Sequence, residues 1–163
     1  FTGVITGQVA GLIMAVAVMA VFALVLGRPI YYPVQVIGSA IYGDAAVVGG
    51  FHAPGFLAGL LLHQLVALIW SIPITMAINR VEHSTMNVLA VGLTGAVLAQ
   101  VIDVGILVPA VMNALHGHNL WAENVPNLWS WIAHLVFGVS FLLFVPLRRR
   151  LGQRPPSVTR PAI

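Results

Sequence analysis

The chain has 163 residues, of which 60% are hydrophobic and only 7% charged. A soluble domain carries about 25% charged residues and could not hide this much apolar surface from water. That excludes an ordinary cytosolic enzyme, a nucleic-acid-binding domain and a disordered chain, and it makes the protein an integral membrane protein. All seven basic residues are Arg, the acids are Asp44, Glu82, Asp103 and Glu123, and there is no Cys. Disulfides, thiolate metal sites and Cys nucleophiles are therefore excluded.

A spanning helix needs about 20 apolar residues. Four windows meet that length, at 4–26, 56–78, 85–112 and 128–147. They predict an all-α, polytopic protein with four transmembrane helices in a domain covering 1–151. The windows are too long for barrel strands. The first is also too long for a cleaved signal peptide and lacks its basic start. The fourth window runs into Arg148-Arg149-Arg150, and the 79–84 connection carries Arg80. An excess of Arg marks the cytoplasmic side, so both termini are expected there, in a bacterial inner membrane.

In chain order, the first window is followed by a long connection, 27–55, in which 33–42 reads as a short helix lying in the outer interface. Tyr31, Tyr32 and Tyr42 belong there to an aromatic belt, matched by Trp121, Trp129 and Trp131 before the fourth window. The stretch 152–163, with Pro155, Pro156 and Pro161, reads as a basic, disordered cytoplasmic tail.

Gly11-Leu12 in the first window is echoed by Gly92-Leu93 in the third. Leu62-His63-Gln64-Leu65 in the second is echoed by Ala133-His134-Leu135-Val136 in the fourth. Each half thus reads as an outward helix, a loop and an inward helix with a His in its outer part, giving two tandem helical hairpins. The Gly- and Met-containing first helix and the motif His134-Leu135-Val136-Phe137-Gly138 resemble a loose set of small four-helix bacterial inner-membrane proteins. Helix two departs from that motif, with Gln64 for Leu and Ala67 for Gly. The resemblance covers the four spans and implies the fold and topology; it implies no activity.

Ionisable groups at membrane depth are costly and mark candidate sites. At ~1.5 Å rise per residue, His63 and His134 fall roughly 10 Å from the outer ends of their helices and Asp103 slightly deeper. Gln100, three residues before Asp103, shares its face, and Gln64 adjoins His63. Three readings stand open. One is a buried polar cluster in which Asp103 accepts a hydrogen bond from a His and Gln100 completes the network, with no cofactor. A second is a cofactor site, with His63 and His134 as ligands of a b-type haem or a pigment, or holding a metal with Asp103. A third is a proton or small-solute conduit through Asp103, with Pro73 and Pro109 breaking their helices. On the outer side, His116-Gly117-His118 with Glu123 is a candidate metal site, set against two solvated loop His residues. No nucleophile elbow, zinc-protease or phosphate-loop motif is present.

Gly3, Gly7 and Gly11, and Gly92 and Gly95, form small-residue ridges that allow close helix packing, inside the bundle or against a partner. The preferred expectation is an accessory subunit of a larger energy-transducing complex, respiratory or photosynthetic, with no chemistry of its own. Its partners would be the lipid bilayer and other integral-membrane subunits, and no nucleic acid.

Overall fold

The computed structural model describes residues 1–152. The expectation for a disordered tail at 152–163 falls, but for Gly152, outside the described residues. The chain is all-helical, and four helical stretches are long and apolar enough to cross a membrane: Thr2–Leu24, Ala53–Ile78, Thr85–His116 and Asn127–Arg150. These are α1 (Thr2–Leu24), α3 (Ala53–Ile78), α4 (Thr85–Ala99) continuing through a π-helical segment (Gln100–Leu107) into α5 (Val108–His116), and α7 (Asn127–Ser140) continuing through a 3-10 turn into α8 (Phe144–Arg150). Two shorter helices, α2 (Tyr32–Tyr42) and α6 (Leu120–Asn124), fill the connections on one side.

The helix ends follow local chemistry. His52 caps α3 by accepting the Gly55 N–H on its Nδ1, and Ser84 caps α4 by accepting from Asn87. The third span runs past the expected residue 112 to His116. It stops at Gly117, whose φ of 78° is the left-handed conformation that glycine tolerates without cost. Two of the membrane prolines coincide with changes of helical register. Pro109 lacks the N–H that Gly105 would otherwise receive, and the turn before it widens to the π form, with the Val108 N–H bonding to the Asp103 carbonyl. Pro146 cannot bond to Leu142, and the preceding turn tightens to 3-10. Pro73 behaves differently from the expectation of a broken helix: α3 runs through it without interruption.

Small residues set the packing. In a membrane, helices associate through van der Waals contact and hydrogen bonds, so removing side-chain bulk at the contact matters more than adding apolar area. Gly3, Gly7 and Gly11 of α1 meet Thr75, Ser71 and Ala67 of α3 in register. Gly92 of α4 meets Gly138 of α7 backbone to backbone, and Gly95 receives the side chain of Ile74. The ridges therefore serve inside the bundle. The two hairpins close at corresponding positions, Gly11 on Ala67 in the first and Gly92 on Gly138 in the second. The α2 helix sits tightly on α3: a Cβ on Gly38 would overlap the Gly55 carbonyl, and one on Gly59 would overlap that of Val34.

Two buried clusters hold the ends. Ile74, Ile78, Val88, Phe137, Phe141 and Phe144 fill the end near the α3–α4 turn. Phe22, Tyr32, Val36 and Val125 fill the opposite end beneath α2. Arg148 donates to Asn79 Oδ1 at 2.6 Å, which ties the Arg-rich end of α8 to the α3–α4 turn. His83, in that turn, is half-buried and packs edge-on against Phe144.

One buried group is a liability. Gln64 faces Gly11, and both atoms of its side-chain amide are sealed from solvent without a partner. An unsatisfied buried amide costs about 1–3 kcal/mol. Gln64→Met, close in shape and apolar, is expected to stabilise the bundle by about 1 kcal/mol or more, read as a later midpoint in unfolding by SDS. A lower midpoint would mean that the amide has a partner in the membrane.

Candidate functional site

Between the two packed ends lies a cavity of about 270 Å³. All four spans and α2 contribute to its wall: Met14 and Ala15 from α1, Val34 and Ile37 from α2, His63 and Trp70 from α3, Asp103 and Val108 from the third span, His134 and Phe137 from α7. His63, Asp103 and His134 therefore line one space. Most of the rest of the wall is apolar, as in small-molecule sites where a few polar groups fix orientation.

Each polar group is held by its own neighbour. The His134 Nδ1 lies 2.9 Å from the Ser130 carbonyl, one turn back on α7. The His63 Nε2 lies 2.9 Å from the Gly11 carbonyl on α1, at the level where Gly11 packs on Ala67. Asp103 accepts a 2.7 Å hydrogen bond at Oδ2 from the Trp70 indole N–H. Gln100, 3% exposed, accepts from the Ser130 hydroxyl at 2.9 Å.

This network differs from the expected polar cluster. The partner of Asp103 is a tryptophan rather than a histidine, and Gln100 turns to Ser130 rather than to Asp103. The π segment supplies the reason. Positions three apart share a face in an α-helix, but the wider π turn carries Asp103 towards α3 while Gln100 faces α7. Trp70 and Ser130 are the site residues that sequence reasoning missed. Their signal was spacing: Trp70 lies seven residues after His63 and Ser130 four before His134, each on the histidine's face.

Beyond the Trp70–Asp103 bridge, α3 makes at most sparse contact with the π segment and α5, and the cavity lies between them. Along this gap the cavity is lined by Leu62 and Val66 of α3 and by Val104, Leu107 and Val111 of the third span. Overhead, α2 is anchored by Gln35, which is fully buried. Its amide donates to the Ala46 and Gly50 carbonyls and accepts from the His52 N–H, binding α2 to the loop that leads into α3.

The loop histidines do not converge. His116 points to the Ala40 carbonyl with Nε2 at 3.2 Å, whereas His118 faces Glu123 with Nδ1 at 2.9 Å and Asp44 with Nε2 at 3.6 Å. Among the described residues no group of three or more His, Cys, Asp or Glu is arranged to hold a metal ion. The His118 pair has a titration consequence instead. The hydrogen bond to Glu123 holds the imidazole above its ordinary pKa of 6.5, partial desolvation opposes it, and the charges of Glu123 and Asp44 add to it. A raised folded-state pKa gives stability that is complete below the unfolded value and fades as pH rises through the folded one. Amide exchange in α6, corrected for intrinsic rates, is expected to be slower at about pH 6 than at about pH 9. His118→Ala should remove the difference; its persistence would assign it to another group.

Comparisons with models of known families, with curated proteins and with solved structures find no match.

Proposed function

We propose that this chain is an accessory integral-membrane subunit of a larger energy-transducing complex, respiratory or photosynthetic, and that its part there is to hold a small lipid-soluble molecule. The observation that carries the reading is the cavity itself: about 270 Å³, largely apolar, with His63, Asp103 and His134 on its wall. An engineered protein cavity of about 150 Å³ binds benzene, so this space suits one substituted ring. The gap between α3 and α5 offers such a molecule a sideways route from the acyl chains. The Arg-rich end, where Arg148 meets Asn79, would face the cytoplasm of a bacterial inner membrane by the positive-inside rule, with both termini on that side.

Two further readings have less support. A b-type haem on His63 and His134 needs room for four pyrrole rings and release of the His63 bond to Gly11. A proton conduit through Asp103 needs polar groups leading to both sides, but Phe137, Phe141, Phe144 and Ile78 pack the bundle below it.

The test is isolation from native membranes in mild detergent, with co-purifying proteins and extractable small molecules identified from one preparation. Recovery in fixed proportion with a large membrane oxidoreductase, carrying a lipid-soluble ring compound, is the expected result. Recovery alone and empty would sink the reading. A reduced-minus-oxidised b-type band lost in both His63→Ala and His134→Ala would replace it with the haem.

A further inference from the structure

Building on the reading of the cavity as a ligand site, we infer that its ligand is a hydroquinone-type ring, an aromatic with hydroxyl donors on opposite edges. The donors and acceptors of the wall point to it. A carbonyl oxygen can only accept, so the His134 nitrogen on the Ser130 carbonyl and the His63 nitrogen on the Gly11 carbonyl must each carry the proton. In the neutral ring, the form an apolar site accommodates, the other nitrogen is then a bare acceptor. Those atoms are His134 Nε2 and His63 Nδ1. Neither has a hydrogen bond among the described residues, and neither is sealed from the cavity.

Asp103 adds a third acceptor. Its Oδ2 takes the Trp70 N–H and its Oδ1 remains open. The Trp70 indole donor is thus spent inside the chain, as is the Ser130 hydroxyl on Gln100, whereas the indole N–H of Trp121, which also lines the cavity, has no partner among the described residues. The wall therefore offers three open acceptors against one open side-chain donor, the Trp121 indole. A quinone or ketone, which carries only acceptors, would leave all three acceptors unpaired. A ring with two hydroxyls satisfies the two histidine nitrogens.

Placement supports a para arrangement. His63 stands on α3 and His134 on α7, two spans that each pack closely on α1. The two acceptors therefore come from different helices, and hydroxyls at opposite edges of one ring can reach both. Trp70, Phe137 and Trp121 supply aromatic lining, and an apolar chain on the ring would leave through the gap between α3 and α5.

The experiment uses the described chain in lipid nanodiscs and four probes on one ring: duroquinol kept reduced, its dimethyl ether, duroquinone and durene. Tetraphenylphosphonium serves as a cationic competitor. Duroquinol is expected to bind at least tenfold tighter than the dimethyl ether or duroquinone, with durene weakest. His134→Leu and His63→Leu, each checked for an intact unfolding transition, are expected to erase that preference. The ether series keeps the result decisive if a variant fails to fold, because it removes the donors from the ligand. Equal binding of duroquinone or of the ether, or preferential binding of the cation, would overturn the hydroquinone assignment and leave the cavity reading standing. No binding of any probe to folded protein would overturn both.

Discussion

Gly59→Val is expected to separate α2 from α3 and to be the most damaging single change in the protein. The Cβ alone would overlap the Val34 carbonyl and crowd the Gly38 N–H, both of them backbone, so no rotamer change gives relief. Overpacking typically costs 1–3 kcal/mol and more where backbone must move, so a loss of about 3 kcal/mol or more is expected here. The reading is a lower midpoint in SDS unfolding, with loss of protection for 32–42. Gly105→Ala is the matched control, since a Cβ there meets nothing within 4 Å. Similar losses in both variants would mean that the α2–α3 approach does not set the cost, since Ala and Val are both better helix formers than Gly.

The second large effect is expected at Trp70. Trp70→Phe keeps the aromatic bulk and removes the N–H from Asp103, leaving a carboxylate oxygen without its partner at membrane depth. Among the described residues this is the side-chain hydrogen bond that joins α3 to the third span. Interhelical hydrogen bonds in membranes are worth roughly 0.6 to 2 kcal/mol, and a stranded carboxylate adds to the loss, so about 2 kcal/mol is expected. Spin labels at Leu61 and Val111 should report a broader distance distribution across the gap. Trp70→Phe combined with Asp103→Leu should recover much of the stability, because the orphaned group is gone. A double variant worse than either single one would show that the residues act through packing rather than through the bond.

Much of the scaffold was legible because lipid imposes a length. The expected windows at 4–26 and 56–78 differ from α1 and α3 by three residues or fewer at each end. The third ran four residues past expectation because Asn113 and His116 lower the hydropathy while the helix obeys Gly117. The short helix at 33–42 was also visible. Its tight seat on α3 was not, because Gly38, Gly55 and Gly59 declare their role only when two backbones are brought together. The three ionisable residues at common depth were legible by counting. Their partners were not, because a register change before Pro109 rotates Asp103 away from Gln100. Gln35 lies in the short helix at 33–42, and nothing in its sequence neighbourhood signals that its amide is wholly buried.

The glycine contacts bear on how the protein is made. The ladder Gly3, Gly7, Gly11 joins spans that are consecutive in the chain, and Gly92–Gly138 does the same in the second half. The first hairpin can close once residue 78 has left the ribosome and entered the bilayer, before the third span exists. The second closes on its own contact. The cavity draws its wall from both halves, so it comes into being only when α7 has been made and the hairpins meet, and a chain released before then would carry one of the two cavity histidines and no chamber to hold a guest.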